Sequence, residues 1–558
     1  MQQSQINETI EATLARLGLA THIDTDRFQS IVELFEDALK RHDTAIACSS
    51  LGHDLRYAEL DKLSGDFASW LQNESGLIAG DRVAIQMPNL IQYLVVVLGV
   101  LRAGFVVVNT NPLYTERELE HQFNDAQVKL LVVQANVAQT AAAVLPRTGV
   151  EKVVVTELAD LHPQPKRSLI NFIAKHVKKM VPPFDIPGAL SLRAVLAVGA
   201  KRARQSVSPQ PDDLAMLQYT GGTTGVAKGA MLSHRNLVAN VLQSDAMFAS
   251  HKLQGTGDVF MQPLPVYHIY AFTASMYALY GGAQTVFIPN PRDLGSVVDA
   301  FDRYRPKLFC GLNTLFVALS NDERFRKLNF SNLKVTLSGG MALTEAAANE
   351  WQAITGCTVS EGYGLTETSP VATSNPGYAQ QIGTIGVPVP HTNVRVLNDA
   401  GELLGFDEPG ELGIQGPQVM QGYWQRPEAT AEVIDAEGWF ATGDVAVIQP
   451  DGYLRIVDRK KDMIVVSGFN VYPNELEDVL AGHPAVLECA AVGIPDSSSG
   501  EVVKMFVVRK DVRLTEQEVK DFCRQHLTAY KIPKQVEFRD ELPKTNVGKI
   551  LRRELRDS

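Results

Sequence analysis

Twice along the chain, between Ile31 and Val133 and again between Thr285 and Gly340, segments of helical spacing alternate with short apolar runs. "IVELFEDALK" puts Ile31, Leu34, Phe35 and Ala38 on one face at the helical period. "DRVAIQM", "FVVVN" and "LLVV" read as strands, with Leu90–Leu101 and "ERELEHQF" as the helices between them. Strands joined through helices pair in parallel, since each crossover returns the chain to the same end of the sheet, and helices then cover both faces. The pattern predicts an α/β fold. With 558 residues the chain exceeds the roughly 250–300 that one core holds, so two or more domains are expected.

From Gly383 to Ile456 the rhythm changes to short strands with glycine turns, "GELGIQGPQV" and "DGYLRIVD", the pattern of a β-rich subdomain. After the charged "DRKKD" at 458–462, "NELEDVL" reads as a helix and "LECAAVGI" and "VVKMFVVRK" as strands. "TEQEVKDFCRQHL" is a helix opened by a capping box of Thr515 and Glu518. The expected organisation is a large N-terminal domain over residues 1–460, with 383–456 as its β-rich part. A small α+β domain over 461–558 follows, joined near Lys461.

A net charge of −11 and the lack of a basic run argue against nucleic acid as a partner. Cys48, Cys310, Cys357, Cys489 and Cys523 have neither metal-ligand nor redox spacing, so reduced, mostly buried thiols are expected. The longest apolar run, "LVVVLGVL", falls far short of the roughly 18 residues of a membrane span. The opening "MQQSQINETIEATLARLGLA" lacks the apolar centre of a secretory leader, and the closing Arg556-Asp557-Ser558 is not a peroxisomal address, so a cytoplasmic chain is expected. "LINFIAKHVKKMVPPF" places Ile170, Ile173, Val177 and Met180 on one helical face with Lys175, Lys178 and Lys179 elsewhere. Such a helix lies on an anionic membrane or packs on its own protein, and the pattern leaves both open.

"LQYTGGTTGVAKGAMLSH", Leu217–His234, carries the first chemical signal. Glycines let backbone N–H groups converge on an anion, threonines add hydroxyl donors and a lysine adds charge. Thr220, Gly221, Gly222, Thr223, Thr224, Gly225 and Lys228 supply all three, which points to a polyphosphate. Ala227 and Gly229 flank the lysine, so this is not the glycine-lysine-hydroxyl order of a P-loop ATPase. No dinucleotide fingerprint is present either.

The loop resembles the phosphate loop of the adenylate-forming enzymes: acyl-CoA synthetases, luciferases and peptide-synthetase adenylation domains. "EGYGLTE" (361–367), "GWFATGD" (438–444), "DRKKDMIVVSGFNVYPNELE" (458–477) and "PKTNVGKILRREL" (543–555) match that family in order and approximate spacing. The stretch from Gly438 to Glu477 is similar to the signature of bacterial long-chain fatty acid–CoA ligases.

The resemblance implies a two-step ligation of a medium- or long-chain fatty acid to coenzyme A, through an acyl-adenylate made from ATP with release of AMP and pyrophosphate. It implies that Glu367 holds Mg²⁺, Thr366 bonds the α-phosphate, and Lys549 touches both the attacking carboxylate and that phosphate. Gly339, Gly340 and Met341, with Glu361, Gly362 and Tyr363, would enclose adenine. Asp444 and Arg459 would hold the ribose. Lys461 would be the hinge about which the small domain turns, bringing Ser467, Gly468 and Phe469 to the coenzyme A channel. His268 would sit at the mouth of the acyl pocket and change partners between steps.

Between Asp258 and Arg292 there is no Asp, Glu, Lys or Arg, and Leu308–Leu319 is also uncharged. A substrate ammonium would need a buried partner there, so an apolar acid is expected. The expected partners are the fatty acid, ATP and coenzyme A, with no nucleic acid. A transient membrane-surface contact on the cytoplasmic face and a homodimer are compatible with this reading. Two alternatives share parts of it: an acyl-AMP ligase or luciferase-like oxidase, and a non-catalytic binder on the same scaffold.

Overall fold

The computed structural model describes residues 2–220, 227–248, 255, 257–467, 469–496, 499–545 and 549–556. Two large sheets dominate. In one, strands Leu190–Ser191, Lys152–Thr156, Val128–Gln134, Arg82–Gln86, Val106–Asn109 and Leu214–Tyr219 run parallel in that order, with Gly229–Ser233 antiparallel at the edge. In the other, Ile46–Ser50, Gln284–Phe287, Val259–Gln262, Leu308–Gly311, Val335–Ser338 and Val359–Gly364 are parallel neighbours. Antiparallel strands close both of its edges.

A layer of helices fills the space between the sheets. Helix Ile91–Arg102, which contains the "LVVVLGVL" run, is buried at every position. An apolar surface all round is what a helix needs when protein covers every side. Its core joins Val83, Ile85 and Val107 of one sheet to Cys48 and Phe287 of the other, with Phe35, Phe67, Leu237 and Phe272 from neighbouring helices. Two polar side chains interrupt it: Gln92 donates to the Glu157 carbonyl at 3.0 Å, and the Arg102 guanidinium donates to Glu36 Oε1 at 2.9 Å, Asp61 Oδ1 at 2.6 Å and Ser64 Oγ at 2.8 Å.

The β-rich part forms an antiparallel sheet of Asn393–Leu397, Gly410–Gln415, Phe440–Ile448 and Leu454–Arg459, against which Ile6, Ile10 and Leu14 of helix Gln2–Arg16 pack. The last sheet comprises Ile464–Val466, Phe469–Val471, Val486–Asp496, Gly500–Arg509 and Gln535–Arg539. Helices Pro473–Ala481 and Glu516–His526 flank it, the latter with the expected Thr515–Glu518 capping box. The fold class is thus the expected mixed α/β architecture with a smaller C-terminal antiparallel sheet.

The basic segment departs from a simple helical stripe. An α-helix over Lys166–Phe172 passes into a π-turn at Ile173–Val177, and of its residues only Ala174 is buried. Leu169, Phe172, Ile173, Val177 and Met180 are exposed, whereas Ile170, the first residue of the expected apolar face, is half-buried. Among the described residues no helix is long and apolar enough to cross a membrane. All five cysteines are free and buried, and burial raises each thiol's pKa, to about 12 for Cys310 and about 11 for Cys523.

Helix Leu192–Gly199 lies so close to helix Tyr57–Glu74 that a Cβ on Gly199 would fall 1.9 Å from the Asp66 carbonyl oxygen and 3.1 Å from Trp70 Cβ. Backbone cannot yield as a flexible side chain does. Gly199→Ala is expected to lower stability by about 1–3 kcal/mol. Urea unfolding followed by tryptophan fluorescence checks this, and an unchanged midpoint would mean the helices have room to part.

Candidate active site

A cavity of about 1430 Å³ opens where the carboxyl ends of parallel strands from both large sheets converge. Asn109, Tyr219 and Gly364 end strands on its wall, and Leu264, Leu312 and Gly339 follow strand ends onto it. Parallel strands leave loops and unpaired backbone groups at these ends, which is where α/β proteins take up ligands.

At one side stand the ends of the glycine-threonine loop. Thr220 N donates to the Lys228 carbonyl at 2.9 Å, closing the base of an antiparallel hairpin, and both residues line the cavity. Lys228 Nζ lies 4.9 Å from the centroid of the Tyr423 ring. The Tyr423 hydroxyl donates to Glu367 Oε1 at 2.7 Å, and Met420 N donates to the Glu367 carbonyl at 2.8 Å. Gly364 permits this placement of Glu367, since a Cβ there would lie 1.9 Å from the Pro370 carbonyl oxygen. Burial raises the Glu367 pKa, opposed by its bond from Tyr423. A carboxylate in such surroundings is matched by a cation.

Opposite, antiparallel register sets Asp444 beside Arg459, with Nε to Oδ1 at 3.3 Å. The Tyr363 hydroxyl donates to Asp444 Oδ2 at 2.6 Å. Gly339, Gly340 and Gly362 line the adjoining wall and add no side chain of their own to it. Met341 and Glu361 are not brought to this wall. Met341 packs against the core cluster around Leu312 and Ala271, and the Glu361 carboxylate accepts from Leu343 N at 3.3 Å, with burial raising its pKa to about 8.

The tail of the chain supplies Lys549. Thr545 N donates to the Lys549 carbonyl at 2.7 Å and Lys549 N to Thr545 Oγ1 at 3.1 Å, and the lysine lines the cavity. Burial, then the Arg459 charge, pushes its pKa down to about 8, with Asp444 acting in the other direction. His268 caps helix Ile269–Tyr280, its Nδ1 accepting from Tyr270 N at 3.3 Å. Burial and the Lys549 charge hold that ring near a pKa of about 4.

Arg552 fixes the tail. Its guanidinium donates to Glu477 Oε1 and Oε2 at 3.0 and 2.6 Å and to Asn474 Oδ1 at 2.7 Å. It also lies 3.7 Å from Asp462 Oδ2 and 4.0 Å from Asp458 Oδ1. The fully buried Asp458 carboxylate accepts from Asn474 N at 2.8 Å, at the start of helix Pro473–Ala481. Lys461 stands on the cavity rim between those carboxylates. Ser467 and Phe469 lie off the cavity, and Phe469 is 56% exposed, stacked on Tyr530 at 4.9 Å. Gly221, Gly222, Thr223, Thr224, Gly225 and Gly468 fall outside the described residues.

The far lobe is apolar, walled by Phe248, Leu264, Ala271, Tyr277, Leu308 and Leu312. Most of these come from the two uncharged stretches, 259–291 and 308–319. Tyr423 was not legible as a site residue. No periodicity marks a tyrosine that meets a carboxylate 56 residues away.

The family model described as AMP-binding enzyme matches residues 35–424, and that of the AMP-binding enzyme C-terminal domain matches residues 475–549. The chain is 49% identical over 541 residues to a long-chain-fatty-acid–CoA ligase of Escherichia coli O157:H7, covering 96% of each. It is 38% identical over 534 residues to the protein of that name from Bacillus subtilis strain 168, covering 94% of each. Among solved structures it is similar to ATP-bound MatB from Rhodopseudomonas palustris, with TM-score 0.81 and 32% identity, covering 94% of this chain and 98% of that one.

Lys549 and His268 provide an internal check on the site. Lys549→Met removes a positive neighbour, so the His268 pKa is expected to rise from about 4 while staying below 6.5, because burial is the larger cause. A pH titration of its imidazole nitrogens by NMR reads this directly. An unmoved pKa would mean that the lysine does not reach the ring.

Proposed function

The chain belongs to the AMP-binding enzyme family, and on that premise we propose that it joins a long-chain fatty acid to coenzyme A through an acyl-adenylate, consuming ATP and releasing AMP and pyrophosphate. The observation that carries the reading is Lys549. A cation from the far end of the chain stands in a cavity that has an apolar lobe on one side and a hairpin rich in donors on the other.

In the first step a carboxylate oxygen attacks the α-phosphorus and pyrophosphate leaves. The substrate supplies the nucleophile, so the protein's part is to bring two anions together and hold them in line. Lys549 and Lys228 offset the charge, and Thr220 and Thr366 donate to phosphate oxygens. Gly221, Gly222, Thr223, Thr224 and Gly225 complete the loop in this reading. Asp444 faces the ribose hydroxyls with Arg459 beside it, and Tyr363 gives its ring to adenine beside the wall of Gly339, Gly340 and Gly362. Met341 and Glu361 act from behind that wall, shaping its loops.

Glu367 is suited to Mg²⁺. Its Oε1 is held by Tyr423, and burial makes the free carboxylate costly without a cation. Magnesium commonly takes one or two protein carboxylates and fills its remaining positions with phosphate oxygens and water. When bound, it would neutralise charge on the phosphates.

In the second step the coenzyme A thiol attacks the acyl carbonyl and AMP leaves. A lysine in the first arrangement blocks the space the thiol needs. Rotation of residues 461–558 about Lys461 withdraws Lys549 and brings Ser467, Gly468 and Phe469 toward the cavity. An acyl-AMP ligase or an oxidase shares the first step, and AMP release that depends on coenzyme A, with no light or oxygen requirement, separates them.

The exposed Leu169, Phe172, Ile173, Val177 and Met180, with Lys175, Lys178 and Lys179 among them, support a contact with an anionic membrane surface where long-chain acids partition. Reversing the three lysines to glutamate is expected to release the protein from liposomes containing phosphatidylglycerol while leaving turnover on dissolved octanoate intact. Unchanged sedimentation with the liposomes would remove this contact.

Lys549→Ala is expected to slow acyl-adenylate formation by about 10²–10³-fold. Thioester formation from supplied acyl-adenylate should stay close to the parent rate. With its pKa at about 8, the lysine is charged below that pH, so kcat/KM for adenylation should fall as pH rises through 8. Pyrophosphate release against pH measures both, and equal loss of the two half-reactions in the variant would overturn the assigned role.

A further inference from the structure

The hairpin that carries the glycine-threonine loop is gripped at its base from outside the cavity. Helix Glu116–Asp125 ends there, and its last residue has a side chain only 9% exposed. Asp125 Oδ2 accepts from the Tyr219 hydroxyl at 2.7 Å, and Oδ1 from Arg426 Nη2 at 2.6 Å. The Asp125 carbonyl accepts from Trp424 Nε1 at 3.1 Å. One turn earlier, His121 Nε2 lies 2.9 Å from the Ala227 carbonyl oxygen. Tyr219 ends the strand entering the loop, and Ala227 lies just before the strand leaving it.

Both strands and a third segment are therefore tied to one helix end. Gly229 backs onto the Tyr219 ring, where a Cβ would lie 3.1 Å from Cε2. The outgoing strand is zipped to the chain around Tyr423: Met231 N donates to the Gly422 carbonyl at 2.9 Å, and Gln421 N to the Met231 carbonyl at 3.0 Å. Trp424 N donates to the Gly229 carbonyl at 2.8 Å. Tyr423 in turn holds Glu367.

We propose that Asp125 is a positioning residue for nucleotide binding. It joins Tyr219 and Arg426 through its two carboxylate oxygens, setting the hairpin base, Lys228 and the Tyr423–Glu367 pair in one frame. Asp125 does not line the cavity, so it acts through these partners. The proposal rests on the reading that this cavity takes ATP. A buried carboxylate with both oxygens occupied by charged or hydroxyl donors orients more firmly than a neutral contact does. Asp125→Asn keeps one acceptor oxygen for the guanidinium and turns an amide N–H toward the tyrosine, whose hydroxyl must then accept instead of donate, so the charge-assisted bond from Tyr219 is lost.

The test uses the full chain and follows ATP–pyrophosphate exchange with palmitate. Asp125→Asn is expected to raise KM for ATP by about five- to twentyfold, with kcat, KM for palmitate and the melting temperature close to the parent. Tyr219→Phe should behave alike, and the double variant should lose no more than the worse single one, since both changes break one contact. Amide hydrogen exchange at Thr220, whose N–H is bonded to Lys228, should speed up in Asp125→Asn. An unchanged KM for ATP, a matching rise in KM for palmitate, additive losses or unaltered exchange at Thr220 would each overturn the proposal. A parent protein without ATP–pyrophosphate exchange would instead defeat the ligase reading, and hydrogen exchange at Thr220 would still decide whether Asp125 holds the hairpin.

Discussion

The position of Lys549 depends on Arg552, three residues further on. A lysine with its pKa drawn down to about 8 gains nothing from burial on its own account. It is held among protein atoms because the neighbouring guanidinium meets Glu477, Asn474, Asp462 and Asp458. Those partners fall on two bodies. Glu477 and Asn474 lie on helix Pro473–Ala481 beside Arg552, whereas Asp458 is on a strand of the β-rich sheet. The internal bonds give the tail its shape, and the contact with Asp458 docks that shape onto the cavity. Burial raises the Asp458 pKa to about 6 despite the arginine, so this docking contact is electrostatically costly as well as specific. The proposed rotation would break such a contact more readily than an apolar seam.

The remaining parts of the cavity are rigid by comparison. Asp444 and Arg459 are placed by strand register, Tyr363 by the end of a buried strand, and His268 by the start of a buried helix. The charged pair of Asp444 and Arg459 comes from the β-rich sheet, while Tyr363 and His268 come from the second large sheet and the helical layer beside it. The element that moves in the proposed rotation has a separate small core around Leu476, Val503 and Met505.

Local features were legible in the sequence because they are set by neighbours in the chain. The Thr515–Glu518 box opens a helix, and the spacing of Ile31, Leu34, Phe35 and Ala38 buries one face. The run "LVVVLGVL" is too short to span a bilayer, yet its apolar surround is required where a helix lies between two sheets. Strand order was not legible, since Val106–Asn109 lies between Arg82–Gln86 and Leu214–Tyr219 for reasons held in distant packing. Motifs brought most of the site together, but a motif names a stretch rather than a direction. Glu361 shares its strand with Tyr363, yet its carboxylate turns to Leu343 N. Tyr423 and Asp125 escape for the opposite reason: each is a single side chain whose partner lies 56 or 94 residues away. The basic segment shows the limit of a helical wheel, since the π-turn at Ile173–Val177 breaks the period on which that wheel is drawn.

The five buried cysteines have a consequence for a protein whose acceptor substrate is itself a sulfhydryl. Mixed disulfides form when a thiolate meets an accessible sulfur, and here every cysteine thiol is enclosed, with burial favouring its protonated form. Oxidised coenzyme A therefore finds no site on the folded chain at which to become tethered. The protein can work through swings in the redox state of its own acceptor without being titrated by it.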